Sequence, residues 1–598
     1  MQKYNHNLSL SVLTIFLGAC AHNTSNRPIL LGEFGNPDHT LHEAHSKQYM
    51  VASQGEATSL AAREMFELGG NIIDAAVAAS FTIAVERPQS TGIGGGGFML
   101  IHWADTGNVL ALDFREKAPI KAKETMFQDP KGEVIPNLSS QGILASAVPG
   151  MVAGTLTIHD KYGKLSRQQI LAPAIRLAEE GVRVYPHLAK AIDVNKELLK
   201  KFPASKALFL KPDGEPYQEG ELLKQKDLAK TLRTIAEQGK DGFYKGWVAQ
   251  AILDQQKTLG GLITAQDLDN YEVKFREPVK STYKGYDIYS MPPPSSGGIH
   301  VIEILNILEN DNLGQFRPYE AQNIHRTAAA MQLAFADRAK YLGDVDFVNV
   351  PISGLIDKSY AKTLRKTIVA HQAKGEKEVK TTDPFKYESK ETTHFTIADA
   401  QGNVVSSTQT INGWLGSGVV VPQAGFVMNN QMDDFSARPG VPNKLGVIGG
   451  KENAIAPQKR PLSSMSPTIV TKAGKPVLAL GSPSGPQIIT CVTLTVLNYI
   501  EYKIPLYESV SALRYHHQWL PNELIVEDPG LPKETTTELE KMGYNVSRKG
   551  IGCKVQAVAF EGDQLHGVSD PREEGLAIGE NLGQKRQNKR ANAPVRAD

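Results

Sequence analysis

Residues 390–399 read Lys-Glu-Thr-Thr-His-Phe-Thr-Ile-Ala-Asp, and Thr392 is the side chain among them that could act as a nucleophile. A threonine hydroxyl is weak at neutral pH and needs a base. An N-terminal threonine carries its own, the α-amine. Breaking the chain between Glu391 and Thr392 would create that amine, whose free pKa of about 8 suits general-base work. Residues 373–391 are charged and polar with few packing residues, and the text then changes abruptly into a hairpin. Thr392 to Asp399 reads as one strand, Ala400-Gln401-Gly402-Asn403 as the turn and Val404 to Asn412 as the return strand. With Asp399 opposite Val404, Ile411 falls across from Thr392, flanked by Thr410 and Asn412. A slip of one residue brings Thr410 or Asn412 directly opposite. Polar residues at this end are unusual for a core hairpin, which would carry Val, Ile or Phe there. The bland alternative is an exposed linker before an ordinary threonine-rich strand, and residues 392–394 alone do not separate the two.

Further polar clusters lie elsewhere. Arg115, in Asp113-Phe-Arg-Glu, has a planar fork that can meet a carboxylate bidentately, or it can pair on the surface with Asp113 or Glu116. Gln431, Asp433 and Asp434 could form a solvated turn, and Ser463-Ser464 a hydroxyl-rich turn that satisfies its own backbone. Seven ordered stretches connect these residues: Arg87-Pro-Gln-Ser-Thr-Gly-Ile-Gly-Gly-Gly-Gly, Asp113-Phe-Arg-Glu, Met291-Pro-Pro-Pro-Ser-Ser-Gly-Gly, Thr392-Thr-His, Asn429-Asn-Gln-Met-Asp-Asp-Phe-Ser, Arg460-Pro-Leu-Ser-Ser-Met-Ser-Pro-Thr and Gly481-Ser-Pro. In these motifs the chain resembles the γ-glutamyltransferases (γ-glutamyltranspeptidases) of the N-terminal nucleophile hydrolase superfamily, from about Val51 to Asp570.

The resemblance implies an α+β fold, a four-layer αββα sandwich, and an enzyme that cleaves itself between Glu391 and Thr392. The two pieces would remain together as a large-small heterodimer. Thr392 would attack the γ-carbonyl of glutathione or another γ-glutamyl compound, with Thr410 beside it. Water, an amino acid or a peptide amine would then release the γ-glutamyl ester. Arg115, Ser463 and Ser464, assisted by Asn412, would hold the donor's α-carboxylate, and Gln431 with Asp434 its α-ammonium. The backbone N–H groups of Ser484 and Gly485 would form the oxyanion hole. No metal or organic cofactor is required.

Two residues depart from the family pattern. Ser484 stands where the family has the first glycine of Pro-Gly-Gly, and a serine serves there nearly as well if residue 484 sits at negative φ, which is the expectation. Lys444-Leu445 lies at the tip of a Gly-, Pro- and Asn-rich loop, residues 436–453, where the bacterial pattern has an aromatic gate. Two other readings remain. A related acylase would cleave glutaryl or cephalosporin-type amides, but such substrates lack the α-amine that Gln431 and Asp434 would read. A processed but inactive surface lipoprotein would be a binding protein.

The chain has 598 residues, 41% hydrophobic and 22% charged, and a formal net charge of +1. That balance implies a soluble body and no nucleic-acid partner. Lys3 and the apolar run Leu8 to Leu17 form an export signal too short to span a membrane. It ends in Leu17-Gly-Ala-Cys20, which resembles a bacterial lipoprotein signal with lipid on Cys20; a plain secretory signal with a chance cysteine is the alternative. Export to the periplasm or outer membrane follows. The expected divisions are residues 1–20 as signal, 21–48 as polar tether, 49–391 as large subunit, 392–582 as small subunit and 583–598 as a basic disordered tail. Cys491 and Cys553 could pair in an oxidising compartment or remain two buried thiols. No Cys/His cluster has structural zinc spacing.

The elements that must position these residues are partly readable. Glu56 to Leu68 has helical apolar spacing, and Asn71 can cap a second helix that Pro88 stops. Gly92, Gly94 and Gly97 formally match G-x-G-x-x-G, but a helix precedes them and a strand, Phe98 to Trp103, follows. That order excludes a dinucleotide site and leaves a tight turn before a buried strand. Val109 to Phe114 pairs back and delivers Arg115. Gln168 to Glu180, Ile299 to Glu309, Asn323 to Tyr341 and Ile488 to Ile500 read as helices. Asp344 and Asp346 fit a polar turn as well as a calcium site.

Overall fold

The computed structural model describes residues 42–375, 377–379, 393–438 and 450–580. Fourteen of its strands build two large sheets. In chain order they are β1 (Glu43–Ser46), β2 (Tyr49–Ser53), β3 (Gly96–His102), β4 (Val109–Asp113), β5 (Lys274–Arg276), β6 (Val279–Tyr283), β7 (Tyr286–Ser290), β8 (Thr393–Asp399), β9 (Val404–Thr410), β10 (Thr468–Lys472), β11 (Lys475–Gly481), β12 (Gln556–Glu561), β13 (Gln564–Ser569) and β14 (Leu576–Gly579). One sheet runs β1-β13-β12-β11-β10-β7-β6 and the other β14-β2-β8-β9-β3-β4-β5. All pairs within these two sheets are antiparallel.

The two sheets stack, and helices cover both outer faces. Glu56–Glu67, Ile72–Glu86 and Met151–Tyr162 pack on the β2-β8-β9-β3 side, where Phe395, Ile397 and Val405 join one apolar core. Gly297–Leu308, Ala321–Tyr341 and Gln487–Val496 cover the other sheet around a second core. Period-two alternation explains the middle layer. Phe395 and Ile397 point to the helices, while His394 and Thr396 point to the opposite sheet. There Thr396 Oγ1 donates to the Gln556 carbonyl (3.0 Å) and Ser406 Oγ to that of Leu480 (3.1 Å). This is the αββα sandwich that the resemblance implies.

Local signals are met closely. Asn71 accepts from Ile73 and Asp74 N–H while Asp74 accepts from Asn71 N–H, a reciprocal cap. Gly95 donates to the Gly92 carbonyl in a turn (3.0 Å), and β3 follows directly. A Cβ on Gly95 would lie 2.0 Å from the Thr410 carbonyl oxygen, so this close approach to β9 requires glycine.

Two expectations change, and one alternative left open is resolved. Glu43–Ser46, assigned to the tether, is an edge strand paired with β13, because residues 43–46 alternate buried and exposed and have an open edge to join. The hairpin is slipped by one residue: Ala398, not Asp399, pairs with Val404. Asp399 ends β8: its N–H donates to the Asn403 carbonyl (3.1 Å), and its carboxylate accepts from Asn403 N–H (2.9 Å) and Nδ2 (2.8 Å). Cys491 and Cys553 are joined as a disulfide, which ties the helix Gln487–Val496 to the segment entering β12. The signal, most of the tether, the basic tail, Glu391, Thr392 and the loop tip Lys444-Leu445 lie outside the described residues.

Candidate active site

The slipped register fixes the start of β8. Thr393, its first described residue, pairs with Gln409, and Thr410 pairs with Gly96 of β3; Thr392 lies outside the described residues. This is the one-residue slip that the sequence left open. Thr410 Oγ1 accepts from Asn412 N–H (2.7 Å), and Asn412 takes φ 73°, which turns the chain out of the strand. Gln54, between β2 and the first helix, holds the start of β8. Its Oε1 accepts from Thr393 Oγ1 and His394 N–H, both at 2.8 Å. Its Nε2 donates to Glu573 (2.5 Å), whose carboxylate also pairs with Arg87. Burial pushes the Glu573 carboxyl up, but Arg87 and its other partners hold it at about 2. His394 is buried between the sheets, and desolvation pushes its imidazole down to about 3, so the ring is neutral.

Arg115 and Asp434 form a buried ion pair at 2.5 Å. Arg115 follows β4, and β4 pairs with β3 so that Asp113 faces Phe98, at the same end as the Gly96–Thr410 pair. Its Nε donates to the Pro461 carbonyl (3.2 Å) and its Nη2 to that of Leu462 (3.2 Å), which brings Ser463 and Ser464 to the site. Gln431 Nε2 donates to the same Asp434 oxygen (2.7 Å) from a one-turn 3-10 helix, Gln431–Asp434. Burial pushes the Asp434 carboxyl up, against the pull of Arg115 and the Gln431 hydrogen bond. Gln431 Oε1 and Asp434 Oδ1 are buried and accept no hydrogen bond from the described residues. Asn412 Nδ2 donates to the Asn430 carbonyl (3.0 Å), tying the end of the hairpin to this turn. Sequence reading missed Arg338. Its Nε donates to Ser296 Oγ (2.8 Å), and its Nη2 lies 3.4 Å from Ser464 Oγ. Buried arginine and aspartate in the alanine-rich helix Ala321–Tyr341 were the available signal.

The Ser484-Gly485 turn enters from the opposite sheet, at the end of β11. The ring of His394 lies so close to Gly481 that a Cβ there would be 2.3 Å from it, which places the turn over the start of β8. Residue 484 is at φ 103° and Gly485 at φ 53°. The expectation of negative φ at Ser484 is therefore overturned: the chain must reverse between strand and helix, and it does so through two successive left-handed residues. Such a conformation costs a non-glycine residue about 1–2 kcal/mol. Ser484 is held by its own side chain. Its Oγ donates to Gln487 Oε1 (3.2 Å), and that oxygen also accepts from Gly552 N–H (2.9 Å). A Cβ on Gly552 would meet Ser484 Oγ at 2.3 Å, so serine at 484 needs glycine at 552.

Glu116 supplies a pH test. Both of its carboxylate oxygens are buried without hydrogen-bond partners among the described residues, and Arg115 Nη1 is 3.7 Å away. Burial pushes its carboxyl up to about 7, against the Arg115 charge. The folded protein thus binds this proton more tightly than the unfolded chain, whose value is about 4.5. The Glu116 contribution to stability is fully present below about pH 4.5 and is lost as pH rises through about 7. Relative to the parent, Glu116→Gln should gain thermal stability between pH 5 and pH 8. An equal difference in melting temperature at both pH values would mean that Glu116 is ionised throughout.

The γ-glutamyltranspeptidase family model matches residues 58–580. The glutathione hydrolase proenzyme of Escherichia coli (strain K12) is 43% identical over 565 residues, covering 94% of this chain and 97% of its own length. The Helicobacter pylori γ-glutamyltranspeptidase structure is 47% identical, with a TM-score of 0.54, over 55% of this chain and 94% of that one. The cephalosporin acylase structure from Bacillus halodurans covers 90% of this chain and 96% of its own with a TM-score of 0.78, at 27% identity. A sandwich that converges a threonine-led hairpin, a buried Arg115–Asp434 pair and a glycine-rich turn, matched over nearly its whole length by that model, belongs to the γ-glutamyltranspeptidase family.

Proposed function

We propose that the chain is a self-cleaving γ-glutamyl transferase and glutathione hydrolase. The observation that carries this reading is the pair of unsatisfied buried acceptors, Gln431 Oε1 and Asp434 Oδ1, beside the Arg115 guanidinium. An α-ammonium needs acceptors and a countercharge, and an α-carboxylate needs a fork; a free amino-acid end brings both. A glutaryl side chain brings no ammonium, which favours this reading over a glutaryl acylase. Glutathione is the donor by analogy with the E. coli relative.

In the precursor, the Thr392 hydroxyl attacks the Glu391 carbonyl carbon, the Glu391–Thr392 C–N bond breaks to free the α-amine and leave an ester on the Thr392 oxygen, and water hydrolyses that ester to release the hydroxyl and the Glu391 carboxylate. In the mature enzyme that amine takes the hydroxyl proton as the oxygen attacks the γ-carbonyl. The Ser484 and Gly485 N–H groups stabilise the oxyanion. The leaving amine departs with a proton, and a γ-glutamyl ester remains on Thr392. Water or an acceptor amine then releases it. Arg115, Asn412, Ser463 and Ser464 hold the donor carboxylate, and Thr410 lies beside the nucleophile. Thr392→Ala should remain one chain and release no glutamate from glutathione. The parent should yield a small fragment that begins Thr392-Thr393-His394; any other N-terminus would reject the assignment.

Ser484 and Gly552 should act as one unit in this reaction. Gly552→Ala displaces Ser484 Oγ from Gln487 and should lower kcat on a γ-glutamyl anilide by about tenfold to 100-fold, the range of a weakened to a lost oxyanion donor. Ser484→Gly alone should stay within about threefold of the parent, and Ser484→Gly in the Gly552→Ala background should recover most of the loss. Additive effects would show that the two residues do not share a constraint.

The chain is exported and anchored through lipid on Cys20. The Cys491–Cys553 disulfide supports export, since disulfides persist in oxidising compartments. Labelled fatty acid should enter the parent and not Cys20→Ser; equal labelling of both would remove the anchor.

A further inference from the structure

A second polar cluster lies outside the γ-glutamyl site, at the β1 edge of its sheet. His45 of β1 pairs directly with His566 of β13, and their rings stack with centroids 4.1 Å apart. Glu43 lies two residues before His45 and therefore on the same face. On the other side of β13, His566 pairs with Ala559 of β12, so Glu561 shares that face too. A Cβ on the neighbouring Gly567 would strike Met50 of the opposing sheet, so the face that carries His566 is the outer one. His566 Nε2 lies 2.8 Å from Glu43 Oε1, and its Nδ1 lies 3.3 Å from Glu561 Oε2. The Tyr499 hydroxyl donates to Glu561 Oε1 (3.3 Å). One ligand atom from each of Glu43, His45 and His566 lies within 4.8 Å of the others.

We propose that Glu43, His45 and His566 bind a divalent cation of the zinc class, with Glu561 as the carboxylate behind His566. Two imidazoles and one carboxylate form a common donor set for such ions. Metal–donor distances of about 2.0–2.2 Å require donors roughly 3.3 Å apart in a tetrahedral site, so only side-chain adjustments are needed. The support behind the ligands is the more specific feature. A metal-bound imidazole ordinarily donates its other N–H to a carboxylate, which is itself hydrogen-bonded. Glu561, whose Oε2 lies 3.3 Å from His566 Nδ1, and Tyr499 behind it are placed to take up that relation on binding. The two carboxylates balance the charge of the ion. The other histidine-carboxylate group, His187 with Glu573 and Glu574, differs because the Arg87 guanidinium already pairs with Glu573 and lies 3.9 Å from Glu574. The bound ion would clasp β1 to β13, joining segments 523 residues apart.

The test uses processed, tag-free protein stripped with a chelator and titrated with Zn2+ by calorimetry. One equivalent should bind with a micromolar or tighter Kd, and X-ray absorption should show two histidine nitrogens. His45→Ala and Glu43→Gln should each weaken binding at least tenfold. Glu561→Gln, which retains all three ligands, should weaken it about 10- to 100-fold, as the loss of a supporting carboxylate does. Glutathione hydrolysis should be unchanged in all three. The absence of stoichiometric binding, or equal affinity in His45→Ala, would overturn the proposal. In that case His566 is only an imidazolium paired with Glu43 and Glu561, and Zn2+ leaves the melting temperature unchanged.

Discussion

Arg115 and Asp434 are buried together, and a buried ion pair persists only where its remaining donors and acceptors are met. That requirement organises the site. Arg115 reaches the carbonyls of Pro461 and Leu462, and Asp434 takes the Gln431 amide, so three segments distant in sequence converge on one charge pair. The satisfaction is incomplete in one direction: Gln431 Oε1 and Asp434 Oδ1 remain without partners among the described residues. An incoming ammonium would meet both acceptors. The site is thus stabilised as a scaffold and left short of one cation, which is the condition for binding a charged amino-acid end.

The second constraint is the polar seam between the sheets. His394, Thr396, Ser406 and Thr408 line it, and desolvation keeps His394 neutral between two threonine hydroxyls. A neutral imidazole with both nitrogens engaged is a spacer here, not a base. It leaves base work to the amine that cleavage would create at Thr392. The seam also explains why the Ser484-Gly485 turn and the start of β8 come from different sheets yet meet at one end.

Features governed by local rules were legible in the sequence. The helix from Asn71, the rejection of a nucleotide loop at Gly92–Gly97 and the hairpin after residue 392 all rest on spacing, caps and turn residues. The hairpin's register was not, because the turn residues permit either pairing by their types alone; in the structure Asp399 bonds Asn403 through both its backbone N–H and its carboxylate. Arg338, Gln54 and the Cys491–Cys553 pair were illegible for another reason. Their partners are set by how helices and sheets stack, and no window of sequence contains both members. The same holds for His45 and His566, which a zinc spacing rule could not find because sheet pairing alone makes them neighbours.

Ser484 shows how a family pattern and local physics can both hold. Glycine is the easy residue at φ 103°, and serine there is strained by roughly 1–2 kcal/mol. Strain of that size would loosen a turn that had no other support. Here the hydroxyl that accompanies the strain also anchors the turn, because Gln487 Oε1 accepts from Ser484 Oγ and Gly552 N–H together. The next residue, Cys553, is fastened by its disulfide to the helix that Gln487 begins. The constraint has therefore moved from the backbone of residue 484 to a three-residue clamp, whose dependence on glycine is transferred to position 552. A serine at position 484 is consequently compatible with a well-held turn.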